Sequence, residues 1–286
     1  MNLIIHKSNI HQPDKCSSIG YDEIHLRKFI LKRLKTIMKS QQFHSSEIPY
    51  GTLAKFGLTQ DMIEDLPQTV QENILDGRRT PVLPIQMTDD DGNVIKARTR
   101  FALVRLDGNE VEVMFYPQLA KCNLDRFTPE EQKALLANQA IIATATMPDG
   151  KTIPAFHQLD PGTNQILYVP TPVIGRNLEI VAKTMNLTTA EVTCLQKGTP
   201  LSTIEDDDMN TVGINLNEKT GISIVRGDVK QWKYAQRDFI GKYSFGLNGC
   251  WVTDDDGNLD YIPEDSYTEE IWEELRRKNG QMALKH

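Results

Sequence analysis

Apolar positions along this chain recur with two periods, and the places where one gives way to the other divide it into elements. From Tyr21 to about Gln42, Leu26, Ile30, Leu34, Ile37 and Met38 return every three or four residues, with Phe29 widening the same face, so the spacing predicts one amphipathic helix. Lys28, Lys32, Lys35 and Lys39 form a basic stripe on its opposite side. Residues 1 to 20 have no such period and are expected to be a weakly ordered arm. Beyond the helix, Pro49, Gly51, Gly57 and Pro67 cut the pattern into two or three short helices that stop at Asp76-Gly77, where glycine can adopt the left-handed conformation. Alternation then replaces helical spacing. Val82 to Met87, Val94 to Leu106 and Val111 to Tyr116 read as strands, separated by turns at Asp89 to Asn93 and at Asp107-Gly108.

The same plan returns twice. Helical segments begin near Leu66, Thr128 and Thr189, an interval of about 61 residues, and each is followed by apolar runs broken at glycine turns. Thr128-Pro129-Glu130-Glu131 has the form of a capping box with proline in the first turn, and its helix should run to about Asn138. Ala140 to Met147, Thr152 to Leu159 and Ile166 to Val169 are the strands of this second copy. Pro172 to Asn177 leads into a helix from Leu178 to Met185. A third copy starts its helix at Thr189-Ala190-Glu191, stops it at Gly198, begins a strand at Leu201 to Ile204 and places Asp206, Asp207 and Asp208 in a turn. Leu159-Asp160-Pro161-Gly162-Thr163-Asn164 echoes Leu216-Asn217-Glu218-Lys219-Thr220-Gly221, and both read as hairpin turns ending on a residue able to take positive φ. Near the end, Phe245 to Val252 and Leu259 to Ile262 form a hairpin across Thr253 to Asn258, which repeats the TDDDGN of residues 88 to 93. A last helix runs from Tyr267 to Lys278 and closes on Gly280. The expected fold is therefore α+β. An arm and basic helix (1–45) precede three diverged helix-plus-meander units (46–120, 121–175 and 176–232), followed by a C-terminal hairpin and helix (233–286).

Composition narrows what such a scaffold does. The chain has 286 residues, of which 39% are hydrophobic, enough for a buried core. A net charge of −7 argues against coating nucleic acid with the whole surface, so any phosphate contact must be local. No stretch approaches a membrane span or the apolar core of a signal peptide, and Cys16, Cys122, Cys194 and Cys250 are scattered singly, as expected of reduced thiols in a cytoplasmic protein.

Signatures of catalysis are sparse. Neither TDDDGN turn fits a calcium loop, because Met87 and Val252 fall at its first position; Asp206-Asp207-Asp208-Met209-Asn210 lacks the required glycine and glutamate. His6, His11 and Cys16 are spaced wrongly for zinc, and HExxH, GxSxG and GxxxxGK[ST] do not occur. Arg226-Gly227-Asp228 is a chance triplet. Leu178 to Lys197 imitates a helix-turn-helix with few base-reading side chains. No cofactor or metal is expected, and no enzyme; the residual enzymatic possibility is a site assembled from His157, Asp160 and Cys194. What remains is positive charge: Arg78-Arg79 after the first helix stop, Arg105, and Lys96, Arg98 and Arg100, which share one face of the long strand as a phosphate-tracking surface would require. No aromatic residues interleave with them in sequence.

Ile74-Leu75-Asp76-Gly77-Arg78-Arg79-Thr80-Pro81-Val82-Leu83-Pro84, Pro170 to Leu178 and Val212 to Trp232 resemble the domain-of-unknown-function family numbered 4099, and the helix-and-strand units with EEQxxLL are similar to the companion family numbered 3945. The resemblance implies a gene carried on conjugative transposons and related bacterial mobile elements, and an accessory role in transfer, maintenance or host interaction. It implies no catalytic residue. The reading of the whole chain is a non-enzymatic, cytoplasmic binding or scaffold protein with a protein partner. The alternative is a nucleic-acid accessory factor that contacts DNA or RNA through Lys28, Lys32, Lys35, Lys39, Arg78, Arg79, Lys96, Arg98 and Arg100.

Overall fold

A computed structural model describes residues 42–89, 91–107, 109–147, 149–205, 208–236 and 240–283. The arm and the lysine-striped helix expected over residues 1–41 lie outside the described residues, as do turn positions Asp90, Gly108, Asp206 and Asp207. Among the described residues the fold is α+β, as the two periods require. Eight α-helices accompany twelve strands arranged as four three-stranded antiparallel sheets, each with its strands in chain order. The described residues form two compact units: unit 1 comprises 122–161 and 166–236, and unit 2 comprises 42–121, 162–165 and 240–283.

Unit 2 begins with a 3-10 turn (Ser45–Glu47) and three short helices, α1 (Tyr50–Ala54), α2 (Gln60–Glu64) and α3 (Gln68–Leu75). Gly77, at φ 73°, ends α3, and the Arg78 N–H donates to the Asn73 carbonyl at 2.8 Å. The first sheet is β1 (Leu83–Thr88), β2 (Val94–Arg105) and β3 (Val111–Pro117). Period-two alternation buries Phe101 and Leu103 against Leu53, Ile63 and Ile74 from the helices. The second sheet of this unit is β10 (Tyr243–Phe245), β11 (Gly249–Thr253) and β12 (Leu259–Pro263), followed by α8 (Glu269–Ala283). It contributes Trp251 and Leu259 to the same core, and the Leu259 N–H donates to the Val82 carbonyl.

Two expectations change here. The single strand read over Phe245 to Val252 is broken at Gly246-Leu247-Asn248, so the hairpin becomes a three-stranded sheet. The cause is tertiary: the buried Asp65 carboxylate accepts from the Leu247 and Asn248 N–H groups at 2.6 and 2.9 Å, which pulls the chain out of the ladder. The last helix starts at Glu269 and runs through Gly280, because one glycine costs a helix only about 1 kcal/mol and is no stop signal by itself.

Unit 1 holds α4 (Pro129–Leu136), β4 (Ile141–Thr146), β5 (Thr152–Asp160), β6 (Gln165–Pro170), α5 (Thr171–Thr184), α6 (Thr189–Gln196), β7 (Leu201–Glu205), β8 (Asp208–Ile214), β9 (Ile222–Arg226) and α7 (Val229–Ala235), although Gln165 at the start of β6 is grouped with unit 2. Its main core joins Phe156 and Leu167 to Ile174, Leu178, Leu195, Val212 and Ile222. The Thr128–Glu131 capping box is present as read. For α6 the N-cap is Thr188, one residue before the expected start, with its hydroxyl accepting from the Glu191 N–H. Helix α5 already includes Pro172 to Asn177, since proline fits the first helical turn, where its missing N–H has no partner to lose. Asp208 opens β8 rather than sitting in a turn. Asn164 and Gly221 take the left-handed conformation at φ 55° and 70°, at matching positions of the two echoing turns.

Candidate binding groove and basic face

Strand β2 presents Lys96, Arg98 and Arg100 on one face, and the ladder decides what stands beside each. Lys96 lies opposite Gln86 and Arg98 opposite Pro84 on β1, while Arg100 lies opposite Tyr116 on β3. The three cations differ in how far they are engaged. Lys96 is exposed and has no acidic partner among the described residues. Arg98 Nη2 donates to both carboxylate oxygens of Asp260 at 2.9 and 2.7 Å, whereas its Nη1 is shut off from solvent and has no hydrogen-bond partner among the described residues. Arg100 Nη1 donates to the Thr80 carbonyl at 3.0 Å, and Thr80 in turn accepts from the Phe101 N–H through its hydroxyl.

Arg78 and Arg79 are half-buried. The Arg79 guanidinium sits 4.0 Å above the centre of the Tyr116 ring. Tyr116 therefore joins a cluster with Arg79 and Arg100 that linear sequence did not reveal, because the ring comes from the neighbouring strand. The signal was present in the Asp107-Gly108 turn, whose position fixes the β2–β3 register and so brings Tyr116 across from Arg100. Arg105 is structural: it pairs with Glu47 at 3.0 Å and covers the Phe43 ring.

Beside β1 the surface opens into a groove of about 540 Å³. Met62, Pro84, Ile85, Gln86, Lys96, Ala97, Arg98 and Asp260 line it; the side chains of Pro84, Gln86, Lys96 and Arg98 share one face of the β1–β2 ladder, and those of Ile85 and Ala97 the other. Gly57 also lines it. That glycine has φ 77°, the left-handed conformation that favours glycine, and a Cβ there would lie 3.1 Å from the Gln86 carbonyl oxygen, a tight approach of loop to strand. The neighbouring Phe56 carbonyl accepts the Gln86 N–H at 2.9 Å.

Elsewhere the chemistry is structural. His157 on β5 is fully buried between Phe127 and Tyr168, with ring centres 5.4 and 6.0 Å away. Its Nδ1 lies 3.1 Å from the Ala155 carbonyl, its Nε2 has no partner among the described residues, and it bonds neither Asp160 nor Cys194. Burial pushes its pKa below the usual value, and nearby Arg126 pushes the same way. His157 and Asp160 also project from opposite faces of β5, so that trio is not assembled. No cluster of three His, Cys, Asp or Glu side chains suited to a metal occurs among the described residues, and no helix among them is long and apolar enough to cross a membrane.

Fold and groove together define a class: an α+β protein of small antiparallel meanders that presents an open, mixed apolar and charged groove. Residues 43–127 match the family described as a protein of unknown function (DUF4099). The matched segment contains α1 to α3, the first sheet and all the basic residues of its face, but not Asp260. It ends well before Trp232, the point to which the resemblance read from sequence extends. No curated protein matches the chain.

Proposed function

We propose that this chain is a non-enzymatic binding protein that holds a protein partner, and that it serves a mobile genetic element. The observation that carries the binding role is the groove of about 540 Å³ beside β1, which combines an apolar wall with charged groups in the manner of a surface that recognises side chains. The mobile-element setting rests on the family resemblance. Capture of the tagged full chain from its host, with and without nuclease, tests this reading when run beside a Gln86→Trp variant, which crowds the groove from the face that also carries Lys96 and Arg98. The expected result is a partner that survives nuclease and is lost with Gln86→Trp. A partner that disappears with nucleic acid, or one indifferent to the substitution, overturns it.

One observation favours a second reading. Tyr116, capped by Arg79 and facing Arg100, gives the basic face an aromatic ring, and aromatic rings among cations are what single-stranded nucleic acid uses for stacking. On this reading the chain is an accessory factor that contacts DNA or RNA phosphates.

A further inference from the structure

We infer that the groove beside β1 takes an extended acidic segment of a protein partner, with an apolar side chain seated against Met62 and Pro84 and a neighbouring carboxylate held by Lys96 beside Arg98. The inference rests on the binding-protein reading and adds the chemistry of the occupant. Charge complementarity carries it. The chain as a whole has net charge −7, yet the described lining of the groove sets Lys96 and Arg98 against Asp260, with Asp254 outside the lining as the next acid near Arg98. Lys96, exposed and unmatched by an acid among the described residues, makes this concave spot select an acidic occupant.

The hydrogen-bond inventory agrees. Lys96 has no acid among the described residues, and Arg98 spends only Nη2 on Asp260. Its Nη1 is closed to solvent and has no hydrogen-bond partner among the described residues, so Lys96 is the donor an incoming carboxylate reaches and Arg98 adds its charge. The route of recognition is also restricted. Pro84 offers no N–H, and the Gln86 N–H is already given to the Phe56 carbonyl, so this stretch of β1 cannot accept an added strand. An occupant must bind through its side chains. Among the described residues the groove wall carries no aromatic ring for a base to stack on, which favours a peptide over nucleic acid at this spot.

The test is fluorescence anisotropy of the full chain against three labelled short peptides, in which leucine alternates with glutamate, glutamine or lysine, and against a labelled single-stranded oligonucleotide. The leucine–glutamate peptide should bind at least about tenfold more tightly than the glutamine peptide, the equivalent of one charge-assisted hydrogen bond. Lys96→Glu should abolish that preference and transfer it to the lysine peptide, with an unchanged circular dichroism spectrum. Equal binding of the glutamate and glutamine peptides, no binding of either, indifference to Lys96→Glu, or displacement of the peptide by the oligonucleotide each overturns the inference. Should the peptides fail while the captured partner is still lost with Gln86→Trp, the binding-protein reading stands and only the acidic occupant falls. Failure of both removes both.

Discussion

Asp65 is a carboxylate buried to 4% exposure that nevertheless makes good every desolvated lone pair it can: it accepts from the Leu247 N–H, the Asn248 N–H and the Tyr261 hydroxyl. Burial and the Asp65 bond both push the Tyr261 hydroxyl far above its ordinary pKa, so the phenol stays a donor. Asp65→Ala should cost about 2–4 kcal/mol, because two backbone amides and a phenol lose a charged acceptor, and a urea midpoint followed by tryptophan fluorescence will show it. Gly246→Ala should be at least as damaging, since its Cβ would lie 2.1 Å from the Asp65 carboxyl carbon. His157 makes the complementary case of a buried base. Its folded pKa lies below the unfolded value of 6.5, so the unfolded chain takes up the proton first as pH falls. Stability from this residue is complete above about pH 6.5 and is lost as pH drops toward the folded pKa. A pH series of urea midpoints should therefore decline through that window in the native chain and decline less in His157→Leu.

At the level of elements, what could be read from sequence was whatever is decided locally. The two TDDDGN turns have the same letters and fold alike: Asp89 and Asp254 each accept from the N–H groups two and four residues on, and from the side chain of Asn93 or Asn258. The capping box at Thr128 was legible for the same reason. At α6 two threonines compete, and only geometry shows that Thr188 is the cap. Thr128→Ala and Thr188→Ala should each cost about 1 kcal/mol in thermal or urea unfolding, whereas Thr189→Ala should change it by less than about 0.5 kcal/mol. Gly198, at φ 75° with a Cβ that would fall 1.8 Å from the Ala140 carbonyl oxygen, ends the helix where expected. Features fixed by distant partners were not legible. Asp65 breaks a strand 182 residues away along the chain, and Asp260 reaches Arg98 from a separation of 162. Tyr116 meets Arg79 only through strand register. The Arg98–Asp260 pair lines the groove and the Arg79–Tyr116 contact belongs to the basic face, which is why the basic residues could be named from sequence while the acid, the ring and the concavity could not.

At the scale of the whole molecule, charge sets a bound on the nucleic-acid reading. A chain of net charge −7 repels a polyanion everywhere except over local basic patches, so affinity must come from the few cations that reach phosphate. On the described face Lys96 is the exposed charge, while Arg98 shares Asp260 and Arg79 covers the Tyr116 ring. Neutralising about three phosphates of a single strand gives a slope near −2 when log affinity is plotted against log salt. If Lys28, Lys32, Lys35 and Lys39 contribute as well, about seven phosphates are neutralised and the slope steepens to about −5. A salt titration of oligonucleotide binding thus apportions contact between the two basic groups without a structure of the complex. A slope near −2 that flattens on Lys96→Glu places the contact on β2. A slope near −5 that falls to about −2 when the four lysines are reversed places most of it on residues 21–42. Binding that vanishes by physiological salt with either slope leaves the groove, and a protein partner, as the site of specific recognition.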